Sequence, residues 1–229
     1  MARISLSISF SAELRFRSKE LRGIRLPNNK DEKATITVKE DPRVDRVLIT
    51  EAGGFIRAKR IDVTLQKKDG DRFVDLATGA LSQSANKIYD PSSRDKLEIA
   101  LQGDVSVKVG SLSTNDVLIT GDEGKQNLEL SGSNRNDLKV RLGDGDDYFS
   151  ASGQFLETQT VWNVDMGAGN DTAETYGFSA RSALQKSHKT PVIDGSTGHD
   201  SINIYPVDYD PRNDSFEIKS INFEEVISH

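Results

Sequence analysis

Three short segments hold the residues best suited to chemistry. They are Leu142-Gly143-Asp144-Gly145-Asp146-Asp147-Tyr148-Phe149-Ser150, Met166-Gly167-Ala168-Gly169-Asn170-Asp171-Thr172-Ala173-Glu174 and Gly195-Ser196-Thr197-Gly198-His199-Asp200-Ser201-Ile202-Asn203. Each sets glycines ahead of an aspartate and follows the aspartate with a strand-like run. The chain has no cysteine, and His188, His199 and His229 lie far apart with no His-x-x-x-His pair. Thiolate chemistry is excluded, and zinc or iron sites of ordinary type find no ligand set. Any metal held here is a hard cation bound through oxygen.

The elements that must position these turns form a repeat that begins near Asp104. A polar pair, usually ending in Asp, precedes an alternating apolar triplet and a turn. It occurs at Asn115-Asp116, Gln126-Asn127, Asn136-Asp137, Asp146-Asp147, Asn170-Asp171, His199-Asp200 and Asn213-Asp214. The last residues of these pairs stand 11, 10, 10, 24, 29 and 14 positions apart. The short intervals are single strand-plus-turn steps. The intervals of 24 and 29 are each two steps with an insertion, with an extra strand expected over residues 160–165 and a detour over 178–190. Such a chain predicts a two-sheet parallel β-solenoid, in which each level buries its apolar residues against the levels above and below. Residues 216–229 read as a final rung or capping strand.

The three Gly/Asp turns resemble the nonapeptide repeats-in-toxin (hemolysin-type) calcium repeats, Gly-Gly-x-Gly-x-Asp-x-apolar-x. The resemblance spans about residues 115–215 in degenerate form. It implies a β-roll with calcium between stacked turns. Carried over by position, the carboxylate ligands are Asp147, Asp171 and Asp200, and the carbonyl partners belong to Gly143, Gly145, Gly167, Gly169 and Gly198. Asp144, Asp146 and Asp194 are flanking candidates. Calcium takes 6–8 oxygens, more than one turn supplies, so two turns must share an ion. The departures are plain: Leu142 and Met166 stand where the pattern has its first Gly, Ser196 replaces the second, and the spacings exceed the family's 18-residue coil. The earlier turn over residues 121–127 has one residue too many for the pattern and ends in Asn127.

Residues 1–103 carry no resemblance, and are read as a separate β-rich region. Ile4, Leu6, Ile8 and Phe10 alternate with polar residues, and strand-like runs follow at 34–38, 47–50, 55–56, 61–65 and 73–76, with a short helix expected near 14–21. The formal net charge of −6 hides a polarity, +5 over residues 1–100 and −11 over 101–229. An acidic half suits cation binding and repels nucleic acid. The chain shows no signal-peptide pattern and no apolar run long enough to span a membrane. The acidic-then-apolar Glu225-Val226-Ile227 faintly resembles the tail of type I export substrates.

Catalysis finds little footing. Lys139, Arg141, Tyr148, Trp162 and Asp165 could share a solenoid face, the minimum for a polysaccharide lyase or epimerase. No nucleophile elbow or phosphate-cradling Gly loop is present. The sequence is therefore read as a non-enzymatic, calcium-binding structural or adhesive protein, exported or surface-associated, with cytoplasmic residence as the other compartment. Extracellular polysaccharide or another surface protein is the partner expected of such a module. The alternatives are a polysaccharide-active or glycan-binding β-helix, and a metal-free solenoid of a viral or surface-layer assembly, since Asn-Asp turns also form without metal.

Overall fold

The computed structural model describes residues 6–8, 12–14, 24–25, 33–52, 60–82, 96–110, 112, 116–131, 137–152, 162–178, 192–206 and 219–228. These residues are all-β. The strands are β1 (Leu6–Ile8), β2 (Ala12–Leu14), β3 (Ile24–Arg25), β4 (Lys33–Lys39), β5 (Arg46–Ala52), β6 (Arg60–Asp69), β7 (Arg72–Ser82), β8 (Lys96–Gln102), β9 (Val105–Val109) and β10 (Asp116–Thr120). They continue as β11 (Gln126–Ser131), β12 (Asp137–Arg141), β13 (Tyr148–Ser152), β14 (Trp162–Asp165), β15 (Thr172–Phe178), β16 (Val192–Asp194), β17 (Ser201–Pro206), β18 (Lys219–Ile221) and β19 (Glu225–Ser228).

From β8 onward consecutive strands alternate between two sheets. The seven-stranded sheet has the order β18-β16-β14-β12-β10-β8-β4, and all its pairings are parallel. The ten-stranded sheet runs β19-β17-β15-β13-β11-β9-β5-β6-β7-β3, parallel from β19 to β5. The expected strand over 160–165 is β14. The sheets do not break at position 103: β4 and β5 pair directly with β8 and β9. The expected runs at 34–38, 47–50, 61–65 and 73–76 lie in β4, β5, β6 and β7. Residues 55–56, 179–191 and 207–218 lie outside the described residues, as does most of the helix expected near 14–21; Leu14 itself closes β2.

Parallel register turns the period-two pattern into stacked rows. Ile36, Ile99, Ile119, Val140, Val164 and Ile193 are in-register neighbours across six strands, and every one is buried. Facing them, Val107, Leu128, Phe149, Ala173 and Ile202 form a row of the other sheet. The bulk of Phe149 is accommodated by the small Ala173 beside it. Both rows belong to one apolar core. Burial of each such side chain stabilises by roughly 1.5–3 kcal/mol, and β-branched residues suit the pleat.

At the other end β6 and β7 add an antiparallel hairpin to β5. Gly70, at φ +60°, takes the first central position of its two-residue turn, as a type II′ hairpin requires. Arg46 stands 3.6 Å over the ring of Phe73. This hairpin occupies the side of β5 on which another parallel strand would otherwise add.

One core position departs from the apolar pattern. Thr175 is completely buried between Ala151 and Ile204 in register, and its hydroxyl has no hydrogen-bond partner. A buried hydroxyl without a partner costs free energy that an isosteric methyl does not. Thr175→Val is expected to raise unfolding stability by about 1 kcal/mol in urea denaturation; a loss of stability would show that the hydroxyl is satisfied.

Candidate functional site

The turns that carry the chain from the seven-stranded to the ten-stranded sheet lie along one edge. They pair with one another as backbone. Asp144, Ala168 and Thr197 are bridge partners in sequence. Ala168 N donates to Gly143 O (2.9 Å) and Thr197 N to Gly167 O (3.1 Å), while Gly145 N donates to Ala168 O (2.7 Å) and Gly169 N to Thr197 O (3.0 Å). Gly143 and Gly167 both have φ +99°, a conformation that Ser196 must also adopt, at +70°. A methyl group on Gly169 would overlap the Gly145 carbonyl, and one on Gly198 would overlap the Gly169 carbonyl. Glycine recurs here because stacked backbones approach too closely for any side chain.

The three aspartates stand in one column. Asp147, Asp171 and Asp200 are 2%, 1% and 1% exposed. Each carboxylate reaches back to the preceding turn through Oδ1. Gln126 N donates to Asp147, Asp147 N to Asp171 and Asp171 N to Asp200, all at 2.8 Å, across separations of 21, 24 and 29 residues. Asp200 N donates in turn to Glu224 Oε2 at 2.6 Å. The second oxygen, Oδ2, of Asp147, Asp171 and Asp200 is buried and has no partner.

A buried carboxylate with an unmatched oxygen takes a proton or a cation to offset the loss of water. Burial, opposed by the Gln126 amide and reinforced by Asp171, Asp146 and Asp122, pushes the Asp147 carboxyl up to about 7. Asp171 is pushed up to about 6 by burial, against the Asp147 amide and with Asp200 adding repulsion. Burial also raises Asp200. Glu224 is lowered by the Asp200 amide it accepts.

The flanking acids differ from the column. Asp146 is exposed and accepts from Asn170 N (2.8 Å), as Asn170 Oδ1 accepts from His199 N (3.1 Å). This outer ladder runs in the opposite sense, so adjacent residues tie each turn to both neighbours. Asp144 is exposed at a turn tip, and its amide donates to Asp122 O. Asp194 Oδ1 accepts from Ser196 N (3.0 Å) and Asn222 Nδ2 (2.8 Å). Among the glycine carbonyls, those of Gly143 and Gly167 already accept turn-to-turn bonds, and those of Gly145 and Gly169 face the next glycine.

Two sequence expectations are corrected. Asn127 pairs with Tyr148, so the residue level with Asp147 is Gln126, and the 121–126 turn has no extra residue. Tyr148 opens a strand of the ten-stranded sheet, whereas Lys139, Arg141, Trp162 and Asp165 lie in the seven-stranded sheet. Tyr148 therefore shares no face with Lys139, Arg141 and Asp165, which stay together on one sheet with Arg141 and Asp165 level in register, because successive strands alternate between sheets. The side chain of Trp162 lies outside the described residues. His199 is exposed on its turn.

Pattern reading missed Gln126, Asp122 and Glu224. Asp122 caps the earlier turns, accepting from Gly103 N, Gly124 N and Gln126 Nε2. Gln126 places a buried, unpartnered Oε1 at the amino-terminal end of the column. Only the register reveals these roles, since none of the three completes a motif. Among the described residues, no three His, Cys, Asp or Glu side chains form a metal-holding group. The column instead offers one unpartnered carboxylate oxygen per turn, a ligand type that suits a hard cation.

No protein-family model, curated protein or solved structure matches this chain. No helix among the described residues is long and apolar enough to cross a membrane.

Two outcomes follow from the column. Gly169→Ala is expected to destabilise by more than about 3 kcal/mol, because its methyl meets backbone, whereas Gly70→Ala, with open space and only a positive φ, costs about 1 kcal/mol; chemical denaturation of both variants compares them. Between pH 4 and 7 the folded, metal-free chain binds more protons than the unfolded chain, whose carboxyls have their ordinary value of 3.8. Stability in EDTA therefore falls as pH rises through that window, and thermal melting should show it as a drop of about 3–10 °C.

Proposed function

We propose that this chain is a calcium-stabilised β-solenoid with a structural or adhesive role. The observation that carries the reading is the column of three buried carboxylates, each with one oxygen bonded to the preceding turn and one oxygen unpartnered. The alternation of strands between two parallel sheets supports the solenoid reading, with the Gly/Asp turns along one edge of the coil. Calcium is favoured over magnesium because it accepts irregular sets of carboxylate and carbonyl oxygens.

Asp147, Asp171 and Asp200 would hold the ions, with the carbonyls of Gly145, Gly169 and Gly198 completing the shells, since those of Gly143 and Gly167 accept turn-to-turn bonds. Three stacked turns leave two spaces between them, and Asp171 borders both. The bound ion would supply positive charge to carboxylates otherwise buried without it, and so lock neighbouring turns together. This is structural chemistry. The separation of Tyr148 from the Lys139–Asp165 group weakens the lyase or epimerase alternative. The acidic half and the resemblance to exported repeats support an extracellular or cell-surface location.

Calorimetric titration and melting in calcium, magnesium and EDTA test the reading. Millimolar calcium is expected to raise the melting temperature, more at pH 8 than at pH 5, with magnesium much weaker. Asp171→Asn keeps an acceptor for the Asp147 amide and removes the charge. It should melt higher than wild type in EDTA, and it should lose more of the calcium response than Asp147→Asn or Asp200→Asn. A melting curve unmoved by calcium would end the calcium assignment.

A further inference from the structure

The outer face of the ten-stranded sheet carries a second polar constellation, remote in role from the aspartate column. Tyr148 and Tyr176 both donate their phenol hydrogen to Glu174 Oε2, each at 2.6 Å. The rings of Tyr176 and Tyr205 are stacked, with centroids 4.5 Å apart and planes 5° from parallel. Register explains the grouping: Tyr148 is level with Thr172 and Ser201, Glu174 lies between Ser150 and Asn203, and Tyr176 lies between Ser152 and Tyr205. These positions alternate with the buried Phe149, Ala151, Ala173 and Ile202, so they all look away from the core.

The ring ladder stops abruptly. One face of Tyr176 is covered by Tyr205, whereas the position level with its other face is Ser152, whose side chain is too short to cover it. Tyr176 remains 37% exposed. Its hydrogen bond to Glu174 pushes the phenol up to about 12, so the donor stays protonated.

We propose that this face binds a neutral pyranoside, with the sugar ring stacked on the open face of Tyr176 above Ser152 and its hydroxyls bonded to Glu174 and the neighbouring Ser150. This rests on the adhesive half of the proposed function, not on calcium. A sugar presents a C–H face to an aromatic ring and a rim of hydroxyls that both donate and accept. The site matches that dual demand: a carboxylate accepts only, whereas serine hydroxyls do both. A polyanionic glycan is disfavoured, because Glu174 lies in the site, the nearby Glu129 is already paired with Lys108, and residues 101–229 carry −11. An arginine side chain offers donors alone and leaves the donors of the site unused.

Affinity gel electrophoresis of the full chain in calcium tests the assignment, with laminarin, hydroxyethyl cellulose and yeast mannan as neutral probes and alginate as the polyanion. Retardation by at least one neutral polymer is expected. Tyr176→Ala should weaken it at least about tenfold, while Tyr176→Phe, which keeps the ring, should retain it. The calcium response of both variants should match wild type, which separates this outcome from failure of the calcium reading. Retardation by alginate alone, by none of the polymers, or unchanged in Tyr176→Ala would overturn the proposal. So would loss in Tyr176→Phe equal to that in Tyr176→Ala.

Discussion

Asp147, Asp171 and Asp200 sit inside the protein, each offering one oxygen to a backbone amide of the neighbouring turn and keeping the other without a partner. The rest of the edge is arranged around that fact. For the carboxylates to reach the preceding amides, the turns must stack as closely as strands in a sheet do. That closeness places carbonyl oxygens against glycine Cα atoms and leaves no room for a methyl group. The burial that results removes water from charges that need it. The ladder therefore couples tight backbone stacking to the burial of carboxylates, a cost that a proton or a cation offsets.

The two ladders beside the turns give this edge its direction. Column carboxylates bond backward to the preceding turn, while Asp146 and Asn170 bond forward to the following one. A turn held from both sides resists being peeled away singly. The length of chain between successive turns varies, with separations of 21, 24 and 29 residues between bonded partners, while the stack keeps its register. The constraint is carried by the register of the Gly/Asp edge and by the apolar rows behind it, not by a uniform repeat length.

The two ends of the ten-stranded sheet are unlike. At the amino-terminal side the antiparallel hairpin takes the edge of β5 and gives the parallel stack a stop. At the carboxy-terminal side Glu224 replaces an aspartate as the final acceptor, and Asn222 supplies a positive φ where earlier turns use glycine or serine. The core rows run unbroken between them, joining the basic and acidic portions of the chain into shared sheets.

The sequence by itself determined the all-β class, the strand-plus-turn step and the identity of the three central aspartates, because side-chain alternation and Gly-x-Gly-x-Asp spacing are local properties. It also marked Ser196 as a departure, and the structure places that residue at a positive φ. Only the tertiary structure decided that Asp147, Asp171 and Asp200 share one column, since spacings of 24 and 29 residues do not by themselves fix which turns lie level. It alone exchanged Asn127 for Gln126, because a turn read as one residue too long is indistinguishable in sequence from a strand begun one residue early. It alone separated Tyr148 from Lys139 and Arg141 and brought it to Glu174, 26 residues away. Parallel register joins residues by level and not by neighbourhood, and level is fixed only when the whole stack has formed.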